Sequence, residues 1–128
     1  MPKLTVAIIT FNEEKNIHYP LESSYTLADE VLVVDGGSTD KTVEIASSFG
    51  KKVRVVKTDN PKNFLENKKK AIDQAKGEWI LQLDADEALS DGLKEEIKTV
   101  LTSEKPKNGY FIPRKNFFLT RFLMKSIY

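Results

Sequence analysis

The sequence predicts an α/β domain, with a mainly parallel sheet and helices on both of its faces. Three observations carry this. Four short apolar runs rich in β-branched residues recur along the chain, at Leu4–Thr10, Glu30–Asp35, Lys52–Lys57 and Glu78–Leu83. Helical patterns fill the gaps between them, and such alternation builds parallel sheets with right-handed crossovers. The chain has 128 residues, 40% apolar and 30% charged, which fits one globular domain with a single core rather than a disordered or fibrous chain.

Taken in order, Leu4–Thr10 (LTVAIIT) is nearly continuous in its apolar character, as expected of a strand covered on both faces. A helix can occupy residues 13–27, where Pro20 kinks it or confines it to one side. Glu30–Asp35 (EVLVVD) is the second strand and stops at Gly36-Gly37. Ser38–Ser48 reads as a helix, with Ser38 or Thr39 as N-cap, Val43, Ile45, Ala46 and Phe49 facing inward, and Gly50 suited to the stop. Lys52–Lys57 is a third, more amphipathic strand. Asn63–Lys76 opens with a loose capping box, Asn63 and Glu66, and ends at Gly77. Glu78–Leu83 is the fourth strand and stops at Asp84. Ser90–Leu101 carries Leu93, Ile97, Val100 and Leu101 on one helical face. Tyr110–Pro113 is a candidate fifth strand, edged by Pro113.

The charges nearly cancel, at 20 Lys plus Arg against 19 Asp plus Glu, so a global electrostatic grip on nucleic acid is not expected. The absence of cysteine excludes a disulfide scaffold, a thiolate metal site and a cysteine nucleophile. It fits a reducing, cytoplasmic compartment. Leu4–Phe11 is too short for a signal segment, and no run approaches the roughly 18 apolar residues of a membrane span. The charge is uneven, however: from Glu104 onward, Lys105, Lys107, Arg114, Lys115, Arg121 and Lys125 face Glu104 alone. The same stretch holds Phe117, Phe118, Phe122 and Tyr128. Two readings stand for it: peripheral contact with an anionic membrane at its inner face, or packing on the domain or on further protein.

In an open parallel sheet, ligands bind outside the carboxyl ends of the strands, where strand order reverses. The segments there are Thr10-Phe11-Asn12-Glu13, Asp35-Gly36-Gly37-Ser38, Thr58-Asp59-Asn60 and Asp84-Ala85-Asp86-Glu87. Acids recur in them, and like charges gathered at one edge repel unless a cation sits between. Asp84 and Asp86 are the sharpest signal. Side chains two apart in an extended segment point the same way, so both carboxylates aim at one spot. Oxygen ligands of this kind suit Mg²⁺ or Mn²⁺ shared with substrate phosphates. A solvated acidic turn is the competing explanation, and the preceding apolar strand weighs against it. Asp35-Gly-Gly-Ser-Thr-Asp lacks the third glycine of a dinucleotide fingerprint; Asp35 can accept from ribose hydroxyls or a base N–H. Phe11 can stack on a base or join the core. Lys68, Lys69 and Lys70 lie about 100° apart on a helix, so one can reach a diphosphate while the others face solvent. His18 reads as incidental and Trp79 as a packing residue.

Three blocks resemble a known family: Leu4-Thr-Val-Ala-Ile-Ile-Thr-Phe-Asn-Glu-Glu-Lys-Asn-Ile17, Val31-Leu-Val-Val-Asp-Gly-Gly-Ser-Thr-Asp-Lys-Thr42 and Ala75-Lys-Gly-Glu-Trp-Ile-Leu-Gln-Leu-Asp-Ala-Asp-Glu87. In this order and spacing they are similar to the family 2 glycosyltransferases of the GT-A fold, a Rossmann-like nucleotide-sugar-binding architecture. The nearest likeness is to the branch acting on lipopolysaccharide cores and related glycans. The resemblance spans residues 3 to about 119. It implies a nucleotide-sugar donor, most often a UDP-sugar, transfer with inversion, a glycan or lipid-linked acceptor, and Mg²⁺ or Mn²⁺. It further implies donor contacts at Thr10, Phe11, Asn12, Glu13, Asp35, Lys68 and Asp84, with Asp86, supported by Asp84, at the metal. Gly109–Asn116 resembles a strand near the acceptor side.

The general base of such enzymes lies well after the Asp-x-Asp, and beyond Glu96 this chain has Glu104 alone. No base is assigned. The expectation is a single domain, residues 1–128, with the donor half intact, the acceptor half incomplete and 117–128 an apolar, basic tail; homo-oligomers are compatible with it. A fragment that binds nucleotide-sugar without transfer is the alternative reading. A nucleotidyltransferase would need a basic, glycine-rich loop after the first strand, where Thr10-Phe-Asn-Glu-Glu is acidic. A purely structural partner domain is the remaining competitor.

Overall fold

A computed structural model describes residues 3–58, 63–113 and 120–125 of the chain. The elements are β1 (Leu4–Thr10), α1 (His18–Ser24), β2 (Glu30–Asp35), α2 (Thr42–Phe49), β3 (Val53–Lys57), α3 (Phe64–Gln74), β4 (Trp79–Asp84), α4 (Asp91–Thr102), β5 (Gly109–Pro113) and β6 (Thr120–Lys125). One sheet holds all six strands in the order β3-β2-β1-β4-β6-β5. The first four strands run parallel, and β6 and β5 are antiparallel additions. The mainly parallel sheet with helices on both faces is therefore what the alternating pattern predicts.

The pleat divides the core into two layers. Leu4, Val6, Ile8, Val31, Val33, Trp79 and Leu81 face one side, where Leu21 of α1, Ala46 of α2 and Ile97 of α4 meet them. Ala7, Ile9, Leu32, Val34 and Ile80 face the other, covered by Ala71 of α3. All of β1 and β2 is buried, which explains why their sequences are continuous rather than alternating. Each fully buried Leu or Ile in this core contributes about 1.5–3 kcal/mol. Trp79 is 1% exposed, the packing residue expected, with its ring centroid 5.9 Å from that of Tyr110.

Local signals set several helix ends. Asn63 accepts from the Glu66 amide and Ser90 from the Leu93 amide, each satisfying an amide that has no partner within the helix. Pro20 sits in the first turn of α1, where its missing N–H costs nothing. Gly77 is required for close approach: a Cβ would stand 2.6 Å from the Thr5 amide nitrogen and 2.9 Å from the Trp79 carbonyl oxygen. Gly50 ends α2 in an extended conformation, φ 174°, rather than by a left-handed turn, and any side chain there would strike the Tyr25 ring.

Two expectations need correction. The second helix starts at Thr42, not at Ser38, and neither Ser38 nor Thr39 caps it. Both are drawn into contacts with the loop after β1, as described below. Residues 120–125 of the supposed tail form β6, whose backbone pairs with β4 and β5. Phe117–Leu119 and Ser126–Tyr128 lie outside the described residues, as do Asp59 and Asn60 at the end of β3.

Candidate functional site

Strand order reverses at β1. From β1 the chain builds outward through β2 to β3 on one side and places β4 on the other. The register sets Ile9 beside Asp84 and Thr10 beside Asp35, so both acids flank the carboxyl end of β1. On the β4 side lies an open cleft of ≈ 440 Å³, lined by Ile9, Phe11, Glu13, Lys68, Asp84, Ala85 and Asp86. Such a crevice is the expected ligand position in an open α/β sheet.

Three elements supply the charged lining. Asp84 is the last residue of β4, and Asp86 lies in the turn that follows. Glu87 braces that turn, since its Oε1 accepts from the Asp84 amide at 2.7 Å and its own amide donates to the Asp84 carbonyl at 3.1 Å. Farther on, the Leu89 amide donates to Ser23 Oγ of α1 at 2.9 Å. Lys68 projects from α3, and of the three consecutive lysines it alone lines the cleft. Phe11 is 40% exposed, so its ring is a cleft wall and not a core residue. Glu13, Asp84 and Asp86 against Lys68 leave the cleft acidic. Among the described residues no three His, Cys, Asp or Glu side chains gather into a metal-holding group. The pair Asp84 and Asp86 offers the oxygen donors that suit Mg²⁺ or Mn²⁺ completed by substrate phosphates.

Asp35, Thr10 and Asn12 stand at the same edge but outside the cleft lining. Asp35 is 1% exposed, and its carboxylate is engaged internally. Oδ1 accepts from Thr10 Oγ1 at 2.8 Å and from Ser38 Oγ; Oδ2 accepts from the amides of Gly37 at 3.0 Å and Ser38 at 2.8 Å. Gly37 has φ 97°, a left-handed conformation that suits glycine. Asn12, at φ 53°, places its Oδ1 to accept from the Thr39 amide at 2.8 Å. His18 lies against the Tyr19 ring, tilted at 36°, and faces Glu22 of its own helix; it is not among the lining residues. Ile9 and Ala85 belong to the wall without having been singled out; Ile9 by its pairing with Asp84 and Ala85 by following Asp84 in the turn are placed there by position alone.

Comparison with known proteins decides the family. The model of glycosyl transferase family 2 matches residues 5–120. The chain belongs to that family. A relative, an uncharacterized glycosyltransferase of Rickettsia bellii, is 45% identical over 102 residues, which is 80% of this chain and 34% of the relative. The lipopolysaccharide core biosynthesis glycosyltransferase LpsC of Rhizobium meliloti is 29% identical over 124 residues, covering 93% of this chain and 45% of LpsC. The chain thus spans about a third of the length of the first of these relatives. Among solved structures, S. aureus TarS in complex with UDP-GlcNAc superposes with a TM-score of 0.66 at 30% identity, over 77% of this chain and 31% of TarS. The mannosyltransferase PcManGT of Pyrobaculum calidifontis, solved with GDP-Man and Mn²⁺, gives 0.74 at 20% identity, over 98% of this chain and 44% of that one; that likeness is one of fold.

Proposed function

We propose that this chain is the donor-binding part of an inverting family 2 transferase, and that its cleft takes a nucleoside diphosphate sugar, most simply a UDP-sugar. The observation that carries the reading is the convergence of Phe11, Glu13, Lys68, Asp84 and Asp86 on one cleft at the switch between β1 and β4. The family match and the UDP-GlcNAc bound by TarS support it.

Electrostatics dictates how such a donor fits. An anionic diphosphate is repelled by a lining of three carboxylates and one ammonium. Asp84 and Asp86 would resolve this by holding Mg²⁺ or Mn²⁺ through oxygen, Asp86 as the metal ligand and Asp84 also serving the ribose or sugar. When bound, a divalent cation supplies charge neutralisation to the diphosphate as it leaves. Lys68 adds a fixed positive charge on the α3 side. Phe11 offers its exposed face to a base beside Glu13, and Thr10, Asn12 and Asp35 stand at the same sheet edge within reach of a donor larger than the cleft. In the transfer, the acceptor hydroxyl oxygen bonds to the anomeric carbon from the face opposite the diphosphate, whose bond breaks. The proton goes to a base that is assigned to no residue of this chain. A glycan or lipid-linked acceptor fits the LpsC relationship.

Calorimetry with UDP and UDP-sugars, with and without Mn²⁺, tests the reading. Micromolar to millimolar binding that strengthens with Mn²⁺ is expected, and the strengthening should vanish in Asp86→Asn. Absence of binding by any UDP-, GDP- or dTDP-sugar overturns it. A turnover assay on the same samples separates transfer from binding alone.

A further inference from the structure

The wall formed by Phe11 and Glu13 belongs to a loop with no regular structure of its own, residues 11–17. What fixes it is the segment after β2. Three successive amides of the first loop donate to three side chains of the second: Asn12 to Ser38 Oγ at 2.8 Å, Glu13 to Thr42 Oγ1 at 2.8 Å, and Glu14 to Asp40 Oδ2 at 3.2 Å. Two amides of the second return the contact, Thr39 to Asn12 Oδ1 at 2.8 Å and Lys41 to Glu14 Oε2 at 3.2 Å. Thr42 is fully buried. Its hydroxyl donates to Asp40 Oδ1 while accepting from Glu13, so one oxygen links helix start, carboxylate and cleft loop. Ser38 is held in turn by Asp35.

We propose that Ser38, Asp40 and Thr42 are positioning residues, a clamp that fixes the Phe11–Glu13 wall of the cleft from outside it. None of the three lines the cleft. A helix start needs one cap, and Asp40 Oδ1 supplies it by accepting from the Thr42 amide at 2.9 Å; yet this segment also turns three side chains to a neighbouring loop. Backbone amides are the part of a loop whose capture fixes its path whatever its side chains do. The role in donor binding rests on the function proposed above; the clamp itself does not.

Amide hydrogen exchange by NMR, with UDP affinity measured in the presence of Mn²⁺, tests the proposal on Thr42→Val, Thr42→Ser and Ser38→Ala. Thr42→Val keeps the shape and removes the hydroxyl. The Glu13 and Glu14 amides should exchange at least about tenfold faster, while β1 and β4 amides stay protected, and UDP affinity should fall about tenfold. Thr42→Ser, which retains the oxygen, should restore both. Ser38→Ala should speed exchange at Asn12 and serves if Thr42→Val does not fold. Unchanged exchange at residues 12–14 in the folded variants overturns the clamp. Faster exchange with unaltered UDP affinity overturns its positioning role. If the unsubstituted chain binds no UDP, the donor reading fails, and the exchange data still decide the clamp.

Discussion

Replacing Asp35 separates two roles for that residue. Its carboxylate accepts four hydrogen bonds in a site that is 1% exposed. Hydrogen bonds to a charged group are worth about 1.5–3 kcal/mol each, and a donor left buried and unpaired costs about 1–3 kcal/mol. The bond from Thr10 Oγ1 is fully buried, whereas those from Gly37 and Ser38 are partly buried and can recover water. Counting the first in full and the others in part, Asp35→Ala should cost about 3–5 kcal/mol, against a stability of about 5–15 kcal/mol for a typical domain. Asp35→Asn should cost only about 1–2 kcal/mol, for a geometric reason. The two amides meet Oδ2 and the two hydroxyls meet Oδ1. An Asn carbonyl can therefore keep the amides, while its NH₂ meets hydroxyls that can rotate to accept. Urea unfolding monitored by the single Trp79 measures both. A cost below about 0.5 kcal/mol for Asp35→Ala, together with lost UDP binding, would refute the reasoning and make Asp35 a ligand-facing group.

Other outcomes follow from the same geometry. Asp86→Asn should leave folding unaltered, since Asp86 is exposed beyond the end of β4, and should abolish the gain in UDP affinity on adding Mn²⁺; chelation of the metal should do the same to the unsubstituted chain. Gly77→Ala forces a methyl against the Thr5 and Trp79 backbone and should cost about 1–3 kcal/mol in urea unfolding. Asp40 yields a pH dependence. Desolvation pushes its carboxyl up, but hydrogen bonds from the Thr42 hydroxyl and from the amides of Thr42, Glu14 and Asp40 itself outweigh it and hold it below the ordinary 3.8. A carboxyl depressed in the folded state stabilises above its unfolded value and loses that contribution as pH falls through the folded one. The difference in Tm between Asp40→Asn and the unsubstituted chain should therefore be constant from pH 7 to about 5 and shrink below about 4.

Much of this was legible because it is local. Strands β1 and β2 announce themselves by unbroken apolar runs, and the caps at Asn63 and Ser90 by side chains that reach only three residues ahead. The Asp84/Asp86 corner follows from a strand end and a switch point. What escaped depends on partners distant in sequence. Ser38 and Thr39 look like caps, but their bonds go to Asn12, 26 and 27 residues away. The four donors around Asp35, two of them from Thr10 and Gly37, are likewise visible only in the fold. β6 is basic and aromatic without clean alternation, so its sequence does not separate an edge of the domain from a strand within the sheet; pairing of Trp79 with Lys125 settles that.

The sheet order has a consequence for assembly. β5 precedes β6 in the chain yet its backbone pairs with the rest of the sheet only through it, because β6 lies between β4 and β5. A ribosome that has released residues 109–113 has produced a segment with no backbone partner yet in the sheet. The parallel half can close on its own, and the outer hairpin must then zip on as a pair with the later strand leading. A stop at residue 119 would therefore strip two strands from the sheet, not one, and leave the flank of β4 bare.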